Sequence, residues 1–251
     1  MPVREIVVCR DPNCLAHAAA QFILGEIALI DDRRFHLALS GGSTPAIVYD
    51  VLASNPASGK LLNSACEFYF SDERTVGPDH PDSNFGLANS KLFEPLGVEQ
   101  DVIHRMIGEA KDPQDEVRRY VELILSQVPV GTGNTPRFDL TILGMGSDGH
   151  TASIFPDYDY NRYENALVAV PFVNSLNQRR LTFTLKLINA SRAVLILVSG
   201  KAKAAAVKSA LDSSIESSKL PVSRVAAERT VWLLDLDAAS ELNWTGNVLS
   251  L

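Results

Sequence analysis

Residues Ala193–Val198 read AVLILV, six apolar residues without a polar interruption. A run this short and this apolar suits a strand covered on both faces, as in the interior of a parallel sheet. Outward from it, similar runs recur at Glu5–Val8, Phe35–Leu39, Glu67–Phe70, Phe138–Leu143, Leu167–Val170, Leu181–Leu185 and Val231–Leu234. Helical patterns fill the intervals. Asp11 can cap a helix with Pro12 at its first position, and Asp112 with Pro113 repeats the arrangement. In the second, Asp115 and Glu116 favour the positive end of the helix dipole. Val117, Tyr120, Val121, Ile124, Leu125 and Val128 then share one face. A further helix is expected after Gly200, through Ala202 to Leu211. Such alternation predicts an α/β fold, a doubly wound and mostly parallel sheet with helices on both faces. No repeat or linker divides the chain, and the stretch 131–136 (GTGNTP) reads as a loop, so residues 1–251 are expected to form one domain.

The chain of 251 residues is 46% hydrophobic and 21% charged, an ordinary globular balance. Its formal net charge of −7 argues against nucleic acid or an anionic membrane as a general partner, while leaving room for a small anionic substrate held locally. Cys9, Cys14 and Cys66 form no metal-ligand pattern and are odd in number, which fits a reducing compartment. The start MPVREIVVCR does not read as a signal peptide. His17, Gln21 and Glu26 interrupt the apolar stretch Leu15–Ile30, which is too polar and too short to cross a bilayer. The expected location is cytoplasmic.

Four stretches carry chemistry. In Phe35–Pro45 (FHLALSGGSTP) a strand runs into glycines and hydroxyls, with Pro45 suited to a first helical position. Backbone N–H groups at such a turn converge on an anion that the helix dipole favours. Gly41 and Gly42 would allow close approach of a phosphate, with Ser43 and Thr44 adding donors. No Gly-Lys-Ser/Thr follows, so this is not a Walker A loop. In Phe68–Asn84 (FYFSDERTVGPDHPDSN), Asp72, Glu73 and Arg74 fall at a strand end, where parallel sheets bind ligands. A charged triplet there can equally be a solvated turn. Asp79, His80 and Asp82 match no recognisable metal site, and none is expected.

The third stretch, Phe138–Pro156 (FDLTILGMGSDGHTASIFP), is the sharpest. Residues 144–149 formally match G-x-G-x-x-G. A dinucleotide site is disfavoured, because Phe155-Pro156 interrupts early and the next strand lacks an acidic residue for a ribose. The better reading is a catalytic loop in which three glycines fold the chain tightly and present Asp148 and His150. The fourth stretch is basic, with Arg179-Arg180 before LTFTL and GKAK at 200–203 after the buried strand. Lys203 is the candidate for a phosphate, although a helix carrying Lys201, Lys203 and Lys208 could simply be solvated.

Taken in order, SGGSTP at 40–45, SDER at 71–74 with DSN at 82–84, GMGSDGHTASIFP at 144–156, RLT at 180–182 and GKAK at 200–203 resemble the 6-phosphogluconolactonase family, a relative of the glucosamine-6-phosphate deaminases. The resemblance implies a Rossmann-like sheet, hydrolysis of 6-phospho-D-glucono-1,5-lactone in the oxidative pentose phosphate pathway, and no required cofactor. It implies His150 as general base, Arg74 and Lys203 on the phosphate, and Asp72 in the active cleft. Arg180 matches a family position that either meets substrate or supports the structure. The deaminases end the shared motif in Asn-Glu-Pro, where this chain has Ile154-Phe155-Pro156.

The expected mechanism follows. The Gly41–Thr44 backbone, Arg74 and Lys203 anchor the phosphate. Neutral His150 takes a proton from the attacking water, as an unperturbed imidazole with a pKa of about 6.5 can near neutral pH. Backbone N–H groups of the Gly144–Gly149 loop, Gly146 among them, stabilise the oxyanion. Ser40, Ser43 and Ser71 lack the Gly-x-Ser-x-Gly setting of a nucleophile. Two rivals stand beside this reading. One is an amino-sugar phosphate deaminase, which would want a carboxylate at Phe155. The other is a non-catalytic sugar-phosphate sensor, which would want a helix-turn-helix and a basic surface.

Overall fold

The computed structural model describes residues 3–30, 32–211, 220–243 and 246–250. In chain order the first half holds β1 (Val3–Cys9), α1 (Pro12–Ala28), β2 (Phe35–Leu39), α2 (Ser43–Ala53), α3 (Pro56–Ala65), β3 (Cys66–Phe70), β4 (Asp72–Arg74), α4 (Asn84–Ala88), α5 (Glu94–Leu96) and α6 (Pro113–Gln127). The second half holds β5 (Leu140–Gly144), β6 (Val168–Ala169), β7 (Phe172–Val173), β8 (Gln178–Phe183), α7 (Leu185–Ala190), β9 (Ala193–Val198), α8 (Ala204–Leu211), β10 (Arg229–Asp235) and β11 (Val248–Leu249).

Seven strands form one sheet in the order β11-β1-β10-β9-β5-β2-β3, and every adjacent pair is parallel. The AVLILV strand lies near its centre, and all six residues are buried. Separate apolar cores cover the two faces. One gathers Leu15, Ile23, Val48, Leu52 and Leu62 from α1–α3, and the other gathers Tyr120, Ile124, Leu187, Val207 and Ala210 from α6–α8. This is the doubly wound, Rossmann-like arrangement. The winding reverses between β2, whose chain continues outward to β3, and β5, whose chain continues to β9 and β10 on the other side. At such a switch point the loops leaving the strands diverge and open a crevice at their carboxyl ends.

The helix starts follow the side-chain chemistry. Asp11 accepts from the Cys14 N–H at 2.8 Å, and Asp112 accepts from the Gln114 N–H at 2.9 Å, each just ahead of a proline. Pro45 departs from expectation by sitting third in α2, because Gly42 is the residue before the helix and Ser43 opens it. The run expected to continue through Leu185 stops at Phe183, since Thr184 leads into α7. The Phe138 strand begins only at Leu140, because the Asp139 carboxylate turns to accept from Arg33 and the His36 N–H. Val168–Ala169 is all that forms of the Leu167–Val170 run.

A second, antiparallel sheet, β4-β8-β6 with β7 against β8, was not legible beforehand. Its strand β4 is the charged triplet Asp72-Glu73-Arg74, which has no apolar alternation to announce it. The charges at 72 and 73 are buried, so the triplet is not a solvated turn. Among the described residues, no helix is long and apolar enough to cross a membrane.

Candidate active site

Three neighbouring strands, β9, β5 and β2, deliver their carboxyl-end turns to one cleft, lined by Gly41–Thr44, Gly144–Gly146, His150, Ser199 and Lys203. Asp72 and Arg74 line it from the second sheet. Residues that are distant in sequence meet because parallel strands in register end on the same edge. Gly144 pairs with Leu197, and the nearest approach to a β-carbon built on Gly144 would be the Gly41 carbonyl at 4.0 Å.

The β2 turn is held from below by Tyr49, whose hydroxyl donates to the Ser40 carbonyl at 2.6 Å and lies 3.2 Å from the Ser40 N–H. Gly42 takes φ +104°, which a side chain would strain, and no side chain caps the start of α2. The first N–H groups of this helix therefore lack an intrahelical partner and sit at the cleft wall, together with the Ser43 and Thr44 residues that carry them. Gly41 lines the cleft as well, and a β-carbon there would overlap the Asn84 carboxamide, so its missing side chain also makes room for Asn84.

The Gly144–Gly149 turn presents a close pair. His150 Nδ1 lies 2.6 Å from Asp148 Oδ1, which also accepts from the His150 backbone N–H at 3.1 Å. Burial acts to raise the Asp148 carboxyl, but the backbone and ring of His150 outweigh it and hold the group below the usual carboxylate range. A carboxylate at Nδ1 calls for the proton on that nitrogen, which leaves Nε2 as the acceptor. Phe155 stacks on the other side of the ring.

Gly146 earns its place by size. Any β-carbon would overlap the His150 ring and Asp148 Oδ1. Its N–H donates to the His150 carbonyl at 2.9 Å, and the Gly149 N–H donates to the Gly146 carbonyl at 3.0 Å. The expected oxyanion role is thus corrected for these two groups, because both N–H vectors close the turn instead of facing the cleft.

Asp72 is also placed differently from a free acid or base. It is buried, with Oδ2 accepting from Ser153 Oγ at 2.8 Å and Oδ1 from Asn84 Nδ2 at 3.2 Å. The next residue, Glu73, accepts from the N–H groups of Arg74 and Asn84 at 2.7 Å and of Phe85 at 2.8 Å. Burial raises its carboxyl pKa against those hydrogen bonds. Glu73 is the bracket that fixes the start of α4, and with it Asn84.

Positive charge gathers on the same wall. Arg74 and Arg180 face each other directly across the β4–β8 pair. Like charges opposite one another are unfavourable unless an anion joins them. Arg74 donates to the Asp82 carbonyl, and Arg180 donates to Gln178 Oε1 at 2.8 Å. Burial first, and the charge of Arg74 second, lower the Arg180 pKa. Burial likewise lowers that of Lys203, opposed by Asp148. Arg180 lines an adjoining lobe of the cleft with Arg74, His150 and Lys203.

Of the residues singled out in sequence, the cleft thus brings together Gly41, Gly42, Ser43, Thr44, Asp72, Arg74, Gly146, His150 and Lys203, with Asp148 and Arg180 in the adjoining lobe. It also contains Ser199 and Asn84, which no reading of single stretches placed there. Asn84 had a signal in the Asp-Ser-Asn triplet; Ser199 had none beyond its position after β9. The Asp79–Asp82 loop supplies no side chain to the cleft lining, and meets it only through the Asp82 carbonyl that accepts from Arg74. His80 Nδ1 accepts from the Asp82 N–H at 3.1 Å and closes a local turn. Among the described residues, no group of three or more His, Cys, Asp or Glu is arranged to hold a metal ion.

Comparison with known proteins places this geometry in a family. The family described as glucosamine-6-phosphate isomerases/6-phosphogluconolactonase matches residues 10–232. A 6-phosphogluconolactonase of Aggregatibacter actinomycetemcomitans is 34% identical over 209 residues, covering 82% of this chain and 87% of the relative. That of Haemophilus influenzae is 35% identical, covering 80% and 84%. The solved 6-phosphogluconolactonase of Trypanosoma brucei superposes with a TM-score of 0.86 at 28% identity, covering 96% of this chain and 100% of that one. With its glycine turns, its Asp148–His150 pair and its basic wall on one sheet edge, the chain belongs to the glucosamine-6-phosphate isomerase/6-phosphogluconolactonase family.

Proposed function

We propose that this protein hydrolyses 6-phospho-D-glucono-1,5-lactone to 6-phosphogluconate, the lactone-opening step of the oxidative pentose phosphate pathway. The observation that carries the reading is the 2.6 Å His150–Asp148 contact beside the cleft that Lys203, Arg74 and the start of α2 also line. A proton acceptor and an anion cradle lining one cleft suit a phosphorylated ester.

In this mechanism the phosphate lies against Lys203, Arg74 and the first N–H groups of α2. Their charge-assisted hydrogen bonds fix the sugar ring as well as hold it. A water attacks the lactone carbonyl carbon while His150 Nε2 takes its proton, and Asp148 stabilises the imidazolium through Nδ1–H. The carbonyl carbon then loses its bond to the ring oxygen, which receives the proton from Nε2. Asp72, held by Ser153 and Asn84, acts as a fixed acceptor that shapes the wall near the sugar hydroxyls. Arg180 adds to the positive charge beside Arg74, which the substrate phosphate neutralises on binding. The whole chain acts as one domain on this reading, since both of its halves supply turns to the cleft. Three buried free thiols suit a reducing, cytoplasmic setting.

Deamination of an amino-sugar phosphate is the weaker reading. Phe155 occupies the place where the related motif has a carboxylate, and its ring packs on His150. The deciding experiment is a coupled assay with fresh 6-phosphogluconolactone, corrected for spontaneous hydrolysis, run beside glucosamine-6-phosphate. Lactone turnover without ammonia release is expected. Ammonia release, or no lactone turnover above background, would overturn the proposal.

A further inference from the structure

Asp235 closes β10, and no motif in the sequence pointed to it. Leu234 pairs with Val198, so the next residue along falls beside Ser199 and Gly200, the turn that leaves β9. Asp235 is only 2% exposed, and its carboxylate collects that turn. Oδ2 accepts from Ser199 Oγ at 2.6 Å, and the Gly200 N–H lies 3.0 and 3.1 Å from the two oxygens. A third donor, the Ala238 N–H at 2.7 Å, ties the same carboxylate to the segment after β10.

The turn needs such an anchor. Gly200 takes φ +97°, and directly beyond it one helical turn, Lys201–Lys203, carries Lys203 into the cleft with its N–H on the Gly200 carbonyl at 3.0 Å. A loose Ser199–Gly200 turn would let Lys203 swing on a long side chain toward water, its preferred surroundings given that burial lowers its pKa.

We infer that Asp235 is a positioning residue for phosphate binding: buried behind the cleft, it fixes the Ser199–Gly200 turn so that Lys203 faces the phosphate. The inference rests on the lactonase reading of this cleft, but touches only its anion-holding part. His150 and Asp148 hang from β5, a different strand, and do not depend on Asp235 for their geometry.

The test compares Asp235→Ala and Asp235→Asn with the wild type, each checked for folding by circular dichroism. Calorimetric titration with inorganic phosphate and with 6-phosphogluconate is set beside steady-state kinetics on the phosphorylated and unphosphorylated lactones. For Asp235→Ala, KM and both dissociation constants should rise about tenfold, the loss of one charge-assisted contact. The kcat should stay within about threefold, and turnover of the unphosphorylated lactone should not change. Asn can still accept from Gly200 and Ala238 and can donate to Ser199 Oγ, so Asp235→Asn should recover most of the affinity. A folded Asp235→Ala with wild-type KM and phosphate affinity would overturn the inference, as would equal loss of kcat on both lactones at unchanged KM. Where Asp235→Ala does not fold, Ser199→Ala replaces it, and unchanged phosphate affinity there would be equally fatal. A wild type that binds phosphate but opens no lactone would sink the lactonase reading while leaving the Asp235 comparison decisive. A wild type that binds no phosphate would overturn the positioning role.

Discussion

Phe155 lies flat against His150, with ring centroids 4.1 Å apart and planes 21° from parallel. The imidazole is therefore gripped on one face by an aromatic ring and at one edge by Asp148, which leaves few orientations for Nε2. Phe155→Ala keeps the dyad and removes the plate. Its kcat should fall roughly tenfold while KM stays close to wild type, because misorientation of a proton acceptor taxes the chemical step more than binding. Unchanged kcat would show that Asp148 alone orients the ring.

His150→Asn tests the base itself. It keeps the shape of the loop and some hydrogen bonding, and kcat should drop by about 10²–10⁴ with little change in KM. Asp148 has a depressed carboxyl pKa, so on acidification it stays charged after ordinary carboxylates protonate. Its stabilising contribution is full above the unfolded carboxyl pKa and disappears only as pH falls through the depressed folded value. A fall in kcat on acidification that reflects protonation of the base should vanish in His150→Asn. Persistence of that fall in the variant would move the base elsewhere.

The basic wall should show itself without turnover. Arg74 and Arg180 stand opposite each other and Lys203 is partly desolvated, so an anion that joins them relieves an unfavourable arrangement. Inorganic phosphate should raise the melting temperature beyond what equal ionic strength from sodium chloride achieves. Alanine at Arg74 or Lys203 should abolish most of that rise and weaken substrate binding by about 1.5–3 kcal/mol. Variants that retain both the thermal shift and the wild-type KM would remove these residues from the site.

Prolonged EDTA treatment should leave activity intact. The His80 ring accepts from the Asp82 backbone and so serves the turn that leads to Asn84. Loss of activity that one divalent ion restores would show that the Asp79–Asp82 loop has a second role.

At the opposite edge of the sheet, the Glu26 side chain is 6% exposed and is shared by Arg229 and Arg192, each at 2.8 Å. Glu26→Gln should destabilise the fold by about 2 kcal/mol, between the values for exposed and fully buried pairs because both arginines are partly solvated. Chemical denaturation reads this directly, and kcat should not move. A change below a few tenths of a kcal/mol would show that water replaces the lost partner.

The parallel sheet was legible because its strands advertise burial on both faces: Phe35–Leu39 and Ala193–Val198 came out with the expected boundaries. The glycine turns were legible because a strand end followed by glycine has few structural uses. What escaped was everything set by contacts across the chain. Asp72-Glu73-Arg74 is a strand only because Thr182, Leu181 and Arg180 pair with it. Gly41 and Gly146 line the cleft, but each also makes room for a neighbouring side chain, Asn84 in one case and the Asp148–His150 pair in the other, which no local pattern announces. Local pattern carries the backbone; the purpose of a missing β-carbon is known only once its neighbour is in place.

The three turns that build the cleft leave β2, β5 and β9, strands that lie side by side yet are separated by long stretches of chain. Such contacts are closed late, since each requires ordering the intervening loop before it is rewarded. During refolding, helical signal should therefore return before any catalytic competence, with no partly active species between them. The same arrangement makes a nicked chain informative. Cleavage in the loop at 131–136 would separate the polypeptide that bears Gly41–Thr44 from the one that bears His150 and Lys203. Neither fragment alone can form the site, so activity after nicking would report directly on whether the two pieces remain docked through the β2–β5 seam.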